Sequence, residues 1–183
     1  IRFGRAVCGD LGQAERREWW LGNGLGAYAA GTVAGTLTRR YHGLLIAALK
    51  PPLGRTLLVS KLEETVKYGE QTVPLSTNHW DGGTIAPTGF LYLERFRLEG
   101  TTPVWTFAIA DAQLEKRIWM EPGENTTYVR YALIRGTLPV RLNLCAFINH
   151  RDYHGTTLDT LPEFSLTPIP HGLQILPAGG SPL

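Results

Sequence analysis

Three aromatic rings and an amide are crowded into one short stretch, Trp19, Trp20, Asn23 and Tyr28, with Gly22, Gly24 and Gly26 set among them. The rings present flat apolar faces and the amide both donates and accepts hydrogen bonds. Sugar rings need that combination for their C–H faces and hydroxyls. The structural alternative is that Trp19 and Trp20 are core or interface aromatics, with one of the two adjacent rings turned inward. The glycines, with Gly31 and Gly35, supply turns or close backbone approach, so the stretch reads as a tightly folded loop against a ligand or a neighbouring domain. Gly24 to Ala29 also spells Gly-x-Gly-x-x-Ala, a dinucleotide pattern that needs a helix behind it. Ala30 to Gly35 is interrupted by glycine and β-branched residues instead, which excludes a nucleotide site.

Two further polar clusters follow. Thr38, Arg39, Arg40, Tyr41 and His42 stand just before an apolar run, so their side chains emerge at a sheet edge or loop mouth. The guanidinium groups give planar sets of donors, while Tyr41 and His42 add single directional bonds. The competing reading pairs the arginines with Glu63, Glu64 or Glu94 as structural ion pairs. His150, Arg151, Asp152, Tyr153 and His154 form the second cluster. On a regular strand His150, Asp152 and His154 would share one face, but a metal centre needs three or four converging ligands with a supporting shell. The expectation is an Arg151–Asp152 ion pair that orders a loop, with Tyr153 and His154 facing the same mouth as His42. No metal or other cofactor is implied. Trp80 joins the candidate sugar contacts. Glycoside hydrolysis requires two carboxyl groups flanking the bond, and Glu63, Glu64, Asp81 and Asp152 cannot be sorted into such a pair by spacing.

The elements that must position these groups are strands. Period-two alternation recurs from about residue 43 onward and is clearest at Val140, Leu142, Leu144, Ala146 and Ile148, read as the apolar face of a half-buried strand. Further strands are predicted over 44–49, 55–66, 91–98, 104–109, 114–120 and 127–134, many of them rich in Thr, Val, Ile or aromatics. Turn signals separate them at Pro51-Pro52, Asp81-Gly82-Gly83, Glu99-Gly100, Pro122-Gly123 and Arg135-Gly136. No stretch holds a helical apolar period for three turns. The prediction is an all-β antiparallel sandwich over residues 1–161, followed over 162–183 by a Pro- and Gly-rich tail or the unfinished end of the same domain.

With 43% hydrophobic and 19% charged residues the chain has the composition of an ordinary globular domain. Its 18 basic and 16 acidic side chains are interspersed, so no basic cluster suits nucleic acid. Cys8 and Cys145 form no Cys-x-x-Cys pair and no disulfide framework, and both are read as reduced packing residues. There is no apolar run of the ~20 residues that cross a bilayer and no leader pattern, giving a cytoplasmic default. Asn125-Thr126-Thr127 spells a glycosylation acceptor that matters only in a secreted chain.

Residues 17–49 carry a resemblance. Trp20-Leu21-Gly22-Asn23-Gly24-Leu25-Gly26-Ala27-Tyr28 followed by Thr38-Arg39-Arg40-Tyr41-His42-Gly43-Leu44-Leu45 resembles the N-terminal signature of the bacterial and archaeal glycogen debranching enzymes of the amylo-α-1,6-glucosidase type. The likeness continues through 51–56, 60–64, 75–78, 89–96 and 151–154. It departs mildly at Ala27, where relatives often carry glycine, and at Trp20, where an aliphatic residue is common. The resemblance implies a β-rich supersandwich, a fragment of a larger enzyme, that precedes a separate catalytic (α/α) toroid. The role it implies is non-catalytic, to contact branched α-glucan (glycogen or limit dextrin) and to pack against the toroid. Trp19, Asn23, Tyr28, Arg39, Arg40, Tyr41, His42, Trp80, Arg151, Asp152 and His154 are the expected sugar contacts. The rival expectations are a purely structural interdomain module and a small self-sufficient glycosidase.

Overall fold

A computed structural model describes residues 1–157 and 163–177. Two antiparallel sheets face each other. The first runs in the order β1 (Arg2–Phe3), β9 (Leu93–Glu99), β10 (Thr102–Ile109), β11 (Ala112–Met120) and β12 (Thr127–Arg135). The second runs β13 (Val140–Asp152), β5 (Leu53–Tyr68), β4 (Gly43–Lys50), β3 (Tyr28–Thr32) and β2 (Glu18–Gly22), with β6 (Gln71–Pro74) paired to β5. Two separate two-stranded sheets complete the fold: β7 (Thr77–His79) pairs β8 (Ile85–Thr88), and β14 (Phe164–Ile169) pairs β15 (Gly172–Pro177). The fold is an all-β antiparallel sandwich, as the alternation predicts.

Every strand predicted from residue 43 onward is present, usually longer by a residue or more at an end; at 91–98 the chain enters β9 through a 3-10 turn over Gly89–Tyr92. Three differences have physical causes. Residues 18–32 form the hairpin β2–β3 rather than a loop throughout, because Gly22 and Gly31 sit in extended backbone beneath the rings of Trp20 and Trp19. One-turn helices at Arg5–Cys8 (α1) and Leu11–Glu15 (α2) escape a search for three-turn periodicity; Asp10 caps the second by accepting from the Gln13 N–H at 2.9 Å. The tail carries the hairpin β14–β15, and proline is tolerated there because each strand of a two-stranded ribbon has an unpaired edge. The division expected at 161/162 lies outside the described residues.

The inner faces supply the core. Trp19 meets Trp105 edge to face at 5.4 Å, and Phe96 meets Trp105 at 5.2 Å. Phe107, Ile109, Leu114 and Ile118 extend the same cluster. Cys8 is buried as expected, but Cys145 is exposed, because the edge strand β13 is covered on neither side there. Leu144 and Ala146 are exposed for the same reason, so the face read as half-buried is partly covered at Val140, Leu142 and Ile148 and open between them, with Val140 and Leu142 packed against the core.

Charge also enters the core. Glu64 on β5 accepts from Lys116 on β11, from the Tyr131 hydroxyl at 2.6 Å and from Ser76 at 2.8 Å. Burial pushes the Glu64 carboxyl upward, but Lys116 and these hydrogen bonds outweigh it and hold the pKa below the usual glutamate value. Lys116 and Tyr131 thereby tie β5 to the facing sheet, while Ser76 ties it to the segment that follows β6. Lys61, also on β5, donates to the carbonyls of Gly35 and Thr77 and to Asn78 Oδ1, at 3.0, 2.8 and 2.6 Å. Burial lowers its pKa to about 8. Through Gly35 it pins the connection from β3 to β4, which builds the candidate site.

Candidate functional site

The β3–β4 connection folds on itself. Thr32 Oγ1 meets the carbonyl and hydroxyl of Thr36 at 2.9 and 3.0 Å, and the His42 N–H donates to the Arg39 carbonyl at 3.0 Å. His42 is buried, with Nδ1 accepting from the Thr38 N–H at 3.2 Å and Nε2 facing Glu18 at 3.5 Å. The proton therefore belongs on Nε2 of a neutral ring. Burial lowers the His42 pKa, with Arg39 adding to the effect and Glu18 opposing it.

Leu37 to His42 then forms a ridge with a cleft on each of three sides. The first, about 300 Å³, is lined by Trp20, Tyr28, Ala30, Tyr41 and His42, with Glu18 and Arg39 at its wall. The second, about 430 Å³, has Thr38, Arg40, Ser60, Asn149, Arg151 and Thr157. The third, about 530 Å³, lies toward Glu15 and Arg16. Arg39 borders all three. These volumes lie in the range of ligand pockets, whereas the cavity between the sheets, about 60 Å³, has room for little more than water.

Strand alternation sorts the two tryptophans. Trp19 and Leu21 face the core while Glu18, Trp20 and Gly22 face outward. Trp19 is 8% exposed and donates Nε1 to the Thr32 carbonyl at 3.2 Å; Trp20 is 64% exposed. A Cβ at Gly22 would lie 2.6 Å from the Trp20 ring, so the missing side chain lets the indole lie flat along the strand. Tyr28 stacks with Trp20, centroids 6.3 Å apart and planes 27° apart, and rests on Ile46 and Leu57. Trp20, not the expected Trp19, is therefore the ring open to a ligand, and the inward phase of Trp19 and Leu21 is the sequence signal that separates them.

The remaining expected contacts divide. Asn23 is buried and spent on structure: its Nδ2 donates to the Glu124 carbonyl at 2.8 Å, and its Oδ1 accepts from the Leu25 and Ala27 N–H groups. It closes the β2–β3 turn, where Gly26, at φ +99°, passes against Pro52 too closely for any Cβ. Arg39 pairs with Glu18 at 2.5 Å, not with Glu63, Glu64 or Glu94, and its terminal nitrogens remain toward solvent. Arg40, Tyr41, Arg151, Asp152 and His154 do come together. Arg40 donates to the His154 carbonyl at 2.9 Å, Arg151 donates to the Arg40 carbonyl at 2.7 Å, and the Tyr41 hydroxyl meets His154 Nδ1 at 3.2 Å.

No Arg151–Asp152 ion pair forms. Arg151 orders the loop by donating to the carbonyls of Asp152 and Gly155, while Asp152 Oδ1 accepts from the His154 N–H. The strand alternation expected for His150, Asp152 and His154 is broken by a register shift between Ile148 and Arg151, and His154 lies in the turn beyond β13. Among the described residues no three His, Cys, Asp or Glu side chains gather as a metal site. Trp80 stands apart, exposed on the turn between β7 and β8 with Nε1 donating to the Ala86 carbonyl at 2.6 Å.

The architecture is an antiparallel sandwich whose outer face carries an aromatic-walled, arginine-edged recess. A family model described as glycogen debranching enzyme N terminal matches residues 17–182. The chain belongs to that family, the N-terminal domains of glycogen debranching enzymes. No curated protein and no solved structure matches it significantly.

Proposed function

We propose that this domain holds branched α-glucan for a catalytic toroid and does not itself cleave it. The observation that carries the reading is Trp20: a large indole, 64% exposed, laid flat by Gly22, backed by Tyr28 and bordered by the guanidinium of Arg39. A flat apolar shelf beside planar donors suits a pyranose ring. Binding there would serve orientation, delivering the α-1,6 branch to carboxylates supplied elsewhere. Among the described residues Glu18 is the one carboxylate of this cleft, and it is already engaged by Arg39 and His42, which argues against hydrolysis within it. The family description supports glycogen or limit dextrin as the glucan, and a cytoplasmic setting belongs to the same proposal. No helix among the described residues is long and apolar enough to cross a membrane.

A specific observation supports contact with another domain. In the hairpin β14–β15 the facing pairs Phe164 with Pro177, Leu166 with Ile175 and Pro168 with Leu173 put six apolar residues on one side. Leu166 and Leu173 are well exposed, as are Leu133 and Leu144 on the edge strands. An apolar face on a two-stranded ribbon calls for cover, and packing against the toroid would supply it. In the purely structural reading this packing is the whole function.

Calorimetric titration with a branched maltodextrin, with cellohexaose as control, separates the readings. Saturable binding of the α-glucan alone, weakened by Trp20→Ala and Arg39→Ala, is the expected result. A folded chain that takes up no heat with either sugar would leave only the structural role.

A further inference from the structure

A second Trp–Tyr pair lies on the opposite outer face of the sandwich. Trp119 on β11 and Tyr128 on β12 are direct cross-strand partners, with centroids 5.2 Å apart and planes 18° apart. The inner face of β11 carries Leu114, Lys116, Ile118 and Met120, so Trp119 points outward with Glu115 and Arg117. Tyr128 is 42% exposed.

What distinguishes this corner is the state of its polar atoms. Along the same face Arg97, Glu99, Glu115 and Arg117 are joined by ion pairs of 2.5 to 2.8 Å. Their charges are mutually satisfied. The next residues are not: Trp119 Nε1, the Tyr128 hydroxyl and the Arg130 guanidinium have no protein partner among the described residues. Arg130 lies directly across from Arg117. Two like charges at such a position repel, and the glutamates holding Arg117 leave Arg130 as the free cation of the pair. A flat aromatic stack with three open polar tips repeats the chemistry of the Trp20 recess without its walls. One free guanidinium is too little for a polyanion but is ample for sugar hydroxyls.

We infer that Trp119, Tyr128 and Arg130 form a second α-glucan site, taking an outer α-1,4-linked chain of the same branched particle that the Trp20 recess engages. The inference rests on the α-glucan reading of this domain. Its purpose is avidity: a branched polymer offers many chain ends, and a domain gripping two of them is held far more tightly than one gripping either.

The test uses the 183-residue chain, with maltoheptaose in calorimetry and glycogen in a co-sedimentation assay. Circular dichroism checks folding of every variant. The wild type is expected to bind maltoheptaose at two sites, and Trp119→Ala/Tyr128→Ala at one. Trp119→Phe/Tyr128→Phe keeps the stacked rings but removes two of the three polar tips, and should retain both sites with affinity at this one between those of the wild type and the Ala double variant. Apparent affinity for glycogen should fall about tenfold or more in the Ala double variant, since the polymer then has one grip. An unchanged stoichiometry and glycogen affinity in that variant would overturn the second site while leaving the recess intact. Loss of all binding in that variant, with Trp20→Ala binding like wild type, would keep this shelf and remove the recess. A wild type that binds neither sugar removes both.

Discussion

The outer faces of the two sheets use the same residue types to opposite ends. On the five-stranded face Arg97 and Arg117 are each held by Glu99 and Glu115 in a flat, closed lattice across β9 and β11. On the six-stranded face Arg40 and Arg151 donate to backbone carbonyls of the loops that rise from the sheet, and Arg39 keeps part of its guanidinium free at the meeting of three clefts. The first arrangement braces strands to one another. The second lifts a loop clear of the sheet and so creates concavity. Arginine content therefore says little about where ligands go; the decision lies in whether carboxylates across the sheet or carbonyls in a loop consume the donors.

The comparison breaks most readily at Glu115. Replacing it with leucine leaves Arg97 and Arg117 to share Glu99, with a stability loss of about 1–3 kcal/mol, read as a lower denaturant midpoint at unchanged slope. Maltodextrin binding at the recess should be untouched. If binding fell in step with stability, the two faces would not be separate devices. The converse substitution is Trp20→Ala. An indole that packs on little but Gly22 and Tyr28 contributes little to the fold, so stability should shift by no more than ~0.5 kcal/mol. Maltodextrin affinity should nevertheless drop about tenfold, the effect of losing a stacking surface of this size.

A smaller and sharper change is Gly22→Ala. The new methyl would stand 2.6 Å from the indole ring and must displace it. The expected result is an affinity loss of about threefold, less than deletion of the ring causes, together with an altered near-UV dichroism from the disturbed Trp20–Tyr28 stack. Wild-type affinity in this variant would show that the ring's flat placement is incidental.

Much of the molecule is legible in the chain. The strands from residue 43 announce themselves because most bury one face, so alternation and burial coincide, and the segments Thr38–His42 and Arg151–His154 do meet at one mouth as their polarity suggests. The rest is hidden for identifiable reasons. Asn23 has an amide suited to sugar, but a turn claims both of its ends, and composition does not reveal which hydrogen bonds are already taken. Trp19 and Trp20 are chemically identical, and only their phase relative to Leu21 separates core from surface. Arg151 and Asp152 are adjacent, which suggests a pair, yet neighbours on an extended chain point apart and each finds backbone instead. Trp119 and Tyr128 carry no mark in sequence, because nothing beside either residue signals the other; their stacking is a cross-strand fact.

The slightest expected effect concerns pH and isolates the recess from the rest of the fold. His42 is buried as a neutral ring with its pKa below the ordinary 6.5. As pH falls through that ordinary value the unfolded chain takes up a proton that the folded chain refuses, so the unfolded state binds more protons and stability declines with falling pH. The decline continues until the lowered folded-state pKa is passed, below which both states are protonated and this contribution levels off. His42→Asn keeps an acceptor for the Thr38 N–H without a titrating ring, and should flatten the stability profile just below 6.5. Glu18→Gln should steepen it, because Glu18 is the group that favours the imidazolium. The strands β1 and β9 to β12 contain no histidine, so denaturation followed at several pH values, with Glu115→Leu as a control, should show the same acid slope in that variant as in the wild type. A slope that survives His42→Asn unchanged would place the acid-sensitive group outside the recess.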